Sequence, residues 1–171
     1  MKKYNRIICF KGNTTINTPE GLKKIKDINP GDIVYSFNLD LNIRTTSIVK
    51  RVANSKHNKI CKISFNDNSI LEMTLDHPIW VIGKGWASIS QNERYNLITE
   101  KLNIGDKCLS LNSENMTIKT VKNIEIIYGE FTMYNISGGN HNNYFANGIL
   151  AHDENMLSLD LIRENIQYSE V

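Results

Sequence analysis

A chain of 171 residues has the size of one domain with short appendages. Its 40% hydrophobic and 22% charged residues argue against disorder and against a coiled coil, and its net charge of +2, scattered along the chain, gives no footprint for a nucleic acid. No apolar run reaches the roughly 20 residues that cross a bilayer, and Met1 to Cys9 lacks the features of a signal peptide, so the chain reads as soluble and cytoplasmic, with no membrane partner.

Short runs rich in Ile, Val, Phe and Tyr alternate with Gly, Asn, Asp and Pro clusters, the pattern of many short strands joined by turns. In chain order the expected strands are Thr14 to Asn17, Asp32 to Asn38, Thr45 to Val52, Lys59 to Phe65, Ser69 to Thr74 and Ile79 to Val81. Lys107 to Leu111, Thr117 to Ile127, Thr132 to Ser137, Tyr144 to Ala146 and Ile149 to Ala151 complete the set. Gln91 to Leu102 breaks the rhythm and reads as an inserted loop or short helix. Glu154 to Tyr168 spaces Met156, Leu157, Leu161 and Ile166 at roughly helical intervals and reads as a terminal helix or a frayed tail.

The chain also repeats itself. Gly31-Asp32-Ile33-Val34-Tyr35-Ser36-Phe37-Asn38 matches Gly105-Asp106-Lys107-Cys108-Leu109-Ser110-Leu111-Asn112. Upstream, Gly21 to Ile25 answers Gly85 to Ile89; downstream, Val49 to Val52 and Lys62-Ile63-Ser64 answer Val121 to Ile124 and Tyr134-Asn135-Ile136. Two such β-subdomains, each unable to bury its own strands, are expected to exchange a long hairpin about a pseudo-twofold axis.

Three blocks carry candidate chemistry. Cys9 stands in Ile8-Cys9-Phe10, just before the first strand. In Thr74-Leu75-Asp76-His77-Pro78, strand alternation would turn Thr74 and Asp76 to one face, and Pro78 would set His77 at a turn. The third block runs from His141 to Asp153, with Asn147-Gly148 between apolar pairs as a hairpin signal. Cys61 and Cys108 lie in strand patterns and read as core, His57 as a solvated loop residue, and Trp80 and Trp86 as packing around the second glycine turn. The three cysteines form neither a CxxC pair nor a disulfide framework, so no metal and no cofactor are expected.

In this order and with these gaps, the nucleophile followed by Phe, the Gly-Asp segment, Thr-x-Asp-His-Pro and Tyr-Phe-Ala-Asn-Gly-Ile-Leu-Ala-His resemble the hedgehog/intein (Hint) self-splicing superfamily. The span between Asp76 and Asp153 leaves no room for an endonuclease insert, so the chain is similar to a minimal intein or a bacterial intein-like domain. The resemblance implies an all-β, horseshoe-like fold of two related subdomains with exchanged hairpins. It also implies an upstream flank at 1–8, the domain at 9–153 and a downstream flank at 154–171. The implied site comprises Cys9 as nucleophile on the Ile8 carbonyl, Thr74 as a hydrogen-bonding hydroxyl, His77 as proton donor, Asp76, and His152 with Asp153 at the downstream junction. His141 is a further candidate there, although an ungapped match gives that place to Asn142. Where relatives carry an acidic residue near the nucleophile this chain has Asn135, which removes a possible base.

The downstream end departs further from the pattern. Asp153 stands where inteins cyclise an Asn, so ring closure would give an anhydride rather than a succinimide, and Glu154 offers no nucleophile to receive an acyl group. The expectation is upstream cleavage at Ile8-Cys9 through a thioester, slowed by the β-branched Ile8, with slow cleavage after Asp153 and little splicing. The partners are then the chain's own flanks as substrate and water or an external thiol as acyl acceptor, in a monomer. A decayed, inactive scaffold or binding module and a fully splicing mini-intein are the alternatives.

Overall fold

The computed structural model describes residues 7–91, 98–139, 141–153 and 167–170. Among these the chain forms strands, one 3-10 turn at Ile25–Asp27 and no α-helix. The strands of the first copy are β1 (Phe10–Lys11), β2 (Thr15–Thr18), β3 (Gly21–Lys24), β4 (Ile33–Asn38), β5 (Ile43–Ile48), β6 (Arg51–Phe65) and β7 (Ile70–Met73). Those of the second are β8 (Ile79–Val81), β9 (Gly85–Ser88), β10 (Glu100–Lys101), β11 (Lys107–Asn112) and β12 (Asn115–Ser137). A hairpin of β13 (Asn143–Ala146) and β14 (Ile149–His152) follows, and β15 (Gln167–Glu170) pairs with the start of β6.

The internal repeat is reproduced bond for bond at the two Gly-Asp turns. Gly31 N donates to Val49 O at 2.8 Å, and Gly105 N donates to Val121 O at 2.8 Å. Asp32 accepts from the Asn29 amide and from Lys23 Nζ, and Asp106 accepts from the Asn103 amide and from Lys84 Nζ. Both glycines have φ of +94°, which explains why glycine opens each copy. From these turns β4 pairs with β5, and β11 pairs with the first part of β12.

The copies then cross. β6 leaves its own subdomain and pairs antiparallel with β12 of the other, from Val52 opposite Ile136 to Phe65 opposite Val121. This exchanged hairpin is the architecture that the repeat predicts. Both strands are longer than expected, because Asn54 to Asn58 and Gly129-Glu130 are polar or small and read as breaks. Cross-strand pairing supplies their backbone partners instead, and the register shift between Tyr128 and Phe131 absorbs the glycine as a bulge.

Three other readings change. β3 and β9 are strands that the sequence presents only as matched halves of the repeat. Residues 92–97 of the expected insertion lie outside the described residues, and its far end forms β10, parallel to β9. The Glu154 to Tyr168 segment lies outside them as far as residue 166, and its last two residues belong to β15.

The main core draws on both copies: Ile25, Ile28 and Val34 from one, Ala87, Leu102 and Cys108 from the other, with Ile63, Phe65 and Leu71 from the exchanged hairpin between them. Asn147 and Gly148 turn β13 into β14 with φ of +46° and +79°, as an Asn-Gly hairpin requires. Asn147 also ties the hairpin to β2 and β7 of the first copy, accepting from the Thr15 amide at 2.7 Å and donating to Ile70 O at 2.8 Å.

A Cβ at Gly31 or Gly105 meets nothing within 4 Å, whereas one at Gly139 collides with Ser47. Gly31→Ala and Gly105→Ala should therefore each cost about 1 to 2 kcal/mol of backbone strain alone, and Gly139→Ala distinctly more. Urea midpoints check this; equal losses at all three positions would contradict it.

Candidate active site

The approach to Cys9 is dry. Ile7, Ile8 and Cys9 are 0%, 1% and 0% exposed, so the last two residues of the expected upstream flank are buried, with Ile7 and Cys9 packed beside Ala53, Ile60 and Met133. β1 then pairs with β12 on one side and with Met73 of β7 on the other, which fixes the Ile8-Cys9 peptide between the two copies.

Thr74 meets this peptide directly. Cys9 N donates to Thr74 Oγ1 at 3.1 Å, and Thr74 N donates to Cys9 O at 2.9 Å. β7 ends at Met73, and Leu75-Asp76 form a turn closed by His77 N donating to Thr74 O. This turn defeats the expected alternation: Thr74 lies buried on Cys9, while Asp76 is half-buried in the turn and its charge acts on the Cys61 thiol. Pro78 follows His77 and so helps to hold the chain extended there.

His77 is 0% exposed and stacks on Phe10 with ring centroids 4.0 Å apart. Its Nε2 lies 2.9 Å from His152 O, and a carbonyl only accepts, so the proton is on Nε2. Nδ1 is then a lone pair, buried and without a hydrogen-bond partner. Burial pushes the pKa down to about 3, against smaller upward pulls from the His152 and Cys9 backbones. The resting imidazole is therefore neutral, with its one proton directed at His152 O.

Asn135, read from sequence as a lost base, has a different place. Its Nδ2 donates to the carbonyl of Ile8 at 2.5 Å. The orientation is forced: Oδ1 accepts from Ile136 N at 2.7 Å and from the hydroxyl of Tyr144, which leaves only the NH2 group for Ile8 O. The carbonyl and the amide of one peptide bond are thus each held by a buried side chain. Behind the thiol, Cys9 Sγ lies 3.6 Å from Ser55 Oγ, which is 2.7 Å from His57 Nε2. His57 is 5% exposed, within β6, and is not the solvated loop residue expected.

At the downstream end His152 Nδ1 donates to Asp153 O at 2.9 Å, and the His152 ring packs edge-on to Trp86 at 5.0 Å. Burial lowers the pKa of His152. Asp153 is 3% exposed; its Oδ2 accepts from Gly138 N at 3.3 Å, and its Oδ1 is buried with no hydrogen-bond partner. Burial pushes this carboxyl up to about 7, only partly opposed by Gly138. Asn142, not His141, supplies the backbone contact: Asp153 N donates to Asn142 O at 2.9 Å, while His141 O accepts from Asn143 Nδ2. The His77 to His152 bond joins the two ends into one site.

Cys61 and Cys108 are core, as expected, with thiols that burial pushes up to about 12. Among the described residues no group of three or more His, Cys, Asp or Glu side chains is placed to hold a metal ion, and no helix is long and apolar enough to cross a membrane. Sequence reading missed Ser55, His57 and Gly138, none of which lies in a motif, and gave no role to Tyr144, which opens the Tyr-Phe-Ala-Asn-Gly block. The β6–β12 register and the β13–β14 hairpin bring them in.

Two β-subdomains with exchanged hairpins, and this arrangement of Cys, Thr and His, define a Hint-type minimal-intein fold. Solved structures agree. A bacterial intein-like domain from Clostridium thermocellum superposes with a TM-score of 0.70 at 21% identity, covering 85% of this chain and 98% of that one. A gp41-1 intein variant gives a TM-score of 0.67 at 25% identity, covering 85% and 99%. By sequence the chain belongs to the Ataxin-1 and HBP1 module (AXH) family, whose profile matches residues 9–113. Ataxin-1 of Rattus norvegicus is 27% identical over 110 residues, 59% of this chain, and the match spans 14% of the length of that relative.

The buried histidines set a pH dependence of stability. His77 takes a proton near pH 6.5 when unfolded but only near 3 when folded. The unfolded state is therefore favoured as pH falls between these values, by up to about 1.4 kcal/mol per pH unit. Asp153 slopes the other way, its folded carboxyl keeping a proton up to about pH 7 that the unfolded one loses near 3.9. Relative to the parent, His77→Gln should gain urea stability as pH is lowered from 7.5 to 4.5. A gap that stays constant over that range would contradict a buried, neutral His77.

Proposed function

We propose that this chain is a self-processing domain in which Cys9 attacks the Ile8 carbonyl, converts the Ile8-Cys9 peptide into a thioester, and releases the upstream segment to water or an external thiol. The observation that carries the reading is the hold on that one peptide: Asn135 Nδ2 on its oxygen and Thr74 Oγ1 on its nitrogen. A donor aimed at the carbonyl oxygen stabilises the negative charge that develops there when sulfur adds. A hydroxyl on the nitrogen fixes the orientation in which the C–N bond breaks. His77 sits beside the departing amine as the route for its proton, drawn from water, because its buried Nδ1 starts as a lone pair.

The downstream junction has a weaker version of the same device. His152 polarises the Asp153 carbonyl, and a side-chain oxygen of Asp153 closes a five-membered anhydride that expels the following residue. A carboxyl half-protonated near neutrality and lodged on Gly138 is a slow nucleophile, and Glu154 cannot accept an acyl group, so cleavage dominates over splicing. The domain proper is residues 9–153, with Ile7 and Ile8 as the packed end of the substrate segment.

The second reading is a scaffold that no longer reacts and serves as a binding module. It is favoured by the family match, which ends at residue 113 and omits the downstream block. Intact mass separates the two. With hydroxylamine the parent chain should lose Met1 to Ile8 and Cys9→Ala should not; an unchanged parent mass after prolonged treatment would establish the scaffold reading. Asn135→Ala should slow the release by roughly 10²- to 10³-fold, the usual cost of removing one oxyanion donor. Asp153→Asn should raise the yield of downstream cleavage, since an amide nitrogen closes a succinimide; no increase would argue against a reactive downstream junction.

A further inference from the structure

Sulfur attacks as thiolate, yet Cys9 is enclosed by Ile7, Ala53, Ile60 and Met133, surroundings in which an isolated thiolate is costly. Sequence comparison with the Hint pattern offers no base, because Asn135 holds that place and its amide is committed to Ile8, Ile136 and Tyr144. The hydroxyl of Ser55 lies 3.6 Å from the sulfur, and behind it stands the imidazole of His57 at 2.7 Å. We propose that Ser55 and His57 form a relay that takes the Cys9 proton. This rests on the self-processing reading and adds to it the group that activates the nucleophile.

The geometry comes from strand periodicity. Ser55 and His57 are two apart on β6, so both face the interior, while Lys56 between them is exposed. Met133 and Phe131 lie opposite them on β12. On that side Lys11 Nζ sits 5.8 Å from the Phe131 ring centroid and pairs with Glu72 at 3.2 Å; Lys59, half-buried, is the next cation along β6. The contact of Ser55 Oγ with Nε2 gives the proton a defined destination.

The step balances as follows. The Sγ–H bond breaks and its proton passes to Ser55 Oγ as the Ser55 proton moves to His57 Nε2. Sγ bonds to the Ile8 carbonyl carbon; the C–N bond breaks with its electron pair on the Cys9 nitrogen. That nitrogen takes a proton from water at the His77 side, and His57 returns its proton to water, leaving the charge unchanged. His57 touches Ser55 rather than the reacting atoms, so it is a positioning residue and proton holder.

The test has two arms. Hydroxylamine cleavage is followed from pH 6 to 9 in the parent, Ser55→Ala and His57→Gln, with urea midpoints to establish folding. Glutamine keeps a hydrogen bond to Ser55 but holds no proton. His57→Gln should cleave about 10²-fold more slowly at pH 7, with a rate that rises tenfold per pH unit as hydroxide takes over; a folded variant with the parental rate and profile would overturn the relay. In the second arm, the imidazole ¹⁵N spectrum of the intact Cys9→Ala chain reports the His57 tautomer. The relay requires Nε2 to be unprotonated, and a proton found there at neutral pH would overturn it. If the parent never cleaves, the self-processing reading fails on the first arm, and the second still decides the direction of the Ser55 to His57 bond.

Discussion

Everything in this fold converges on one peptide bond. The Ile8 carbonyl and the Cys9 amide are buried polar groups, and each would cost about 1 to 3 kcal/mol if left without a partner. Asn135 and Thr74 supply those partners, from the end of β12 and the end of β7. They are 61 residues apart in sequence and meet only because β1 is threaded between their strands. The same bonds that make burial of the first strand tolerable also fix the orientation of the Ile8-Cys9 peptide.

The repeat explains how so distant a set is assembled. Each copy begins at a Gly-Asp turn, builds a ribbon and sends a strand across to the other, so that β6 and β12 lie side by side along nearly the whole of β6. Asn135 and Ser55 are carried on those two strands, and the β13–β14 hairpin, tied to β2 and β7 through Asn147, delivers Tyr144, His152 and Asp153. Upstream and downstream groups meet at the His77 to His152 bond.

Much of this was legible in the sequence because the relevant constraints are local. Gly31 and Gly105 announce the turns, Asn147-Gly148 announces the hairpin, and Thr74, His77 and Pro78 sit in a five-residue turn with Cys9 at the head of a strand. What was not legible depends on register. The stretch Asn54 to Asn58 is polar throughout and resembles a loop, so His57 reads as solvated and Ser55 carries no signal; paired against β12, strand periodicity turns both inward. Asn135 carries no chemical signal on its own, and its role comes from two acceptor bonds that aim its amide. Asp76 failed for the opposite reason, since alternation was extended one residue pair beyond the end of β7.

The two ends of the site differ in the state of their groups. The Ile8-Cys9 peptide lies between the Asn135 amide and the Thr74 hydroxyl in dry surroundings, whereas Asp153 is a carboxyl that burial keeps half-protonated near neutral pH. The account stands or falls on whether the Ile8 carbonyl is polarised by Asn135. Isotope-edited infrared spectroscopy of a chain carrying ¹³C=¹⁸O at Ile8, with Cys9→Ala to keep it intact, measures this directly. The account predicts a low-frequency amide I band that moves up when Asn135→Ala is added; a band at the same frequency in both proteins would contradict it.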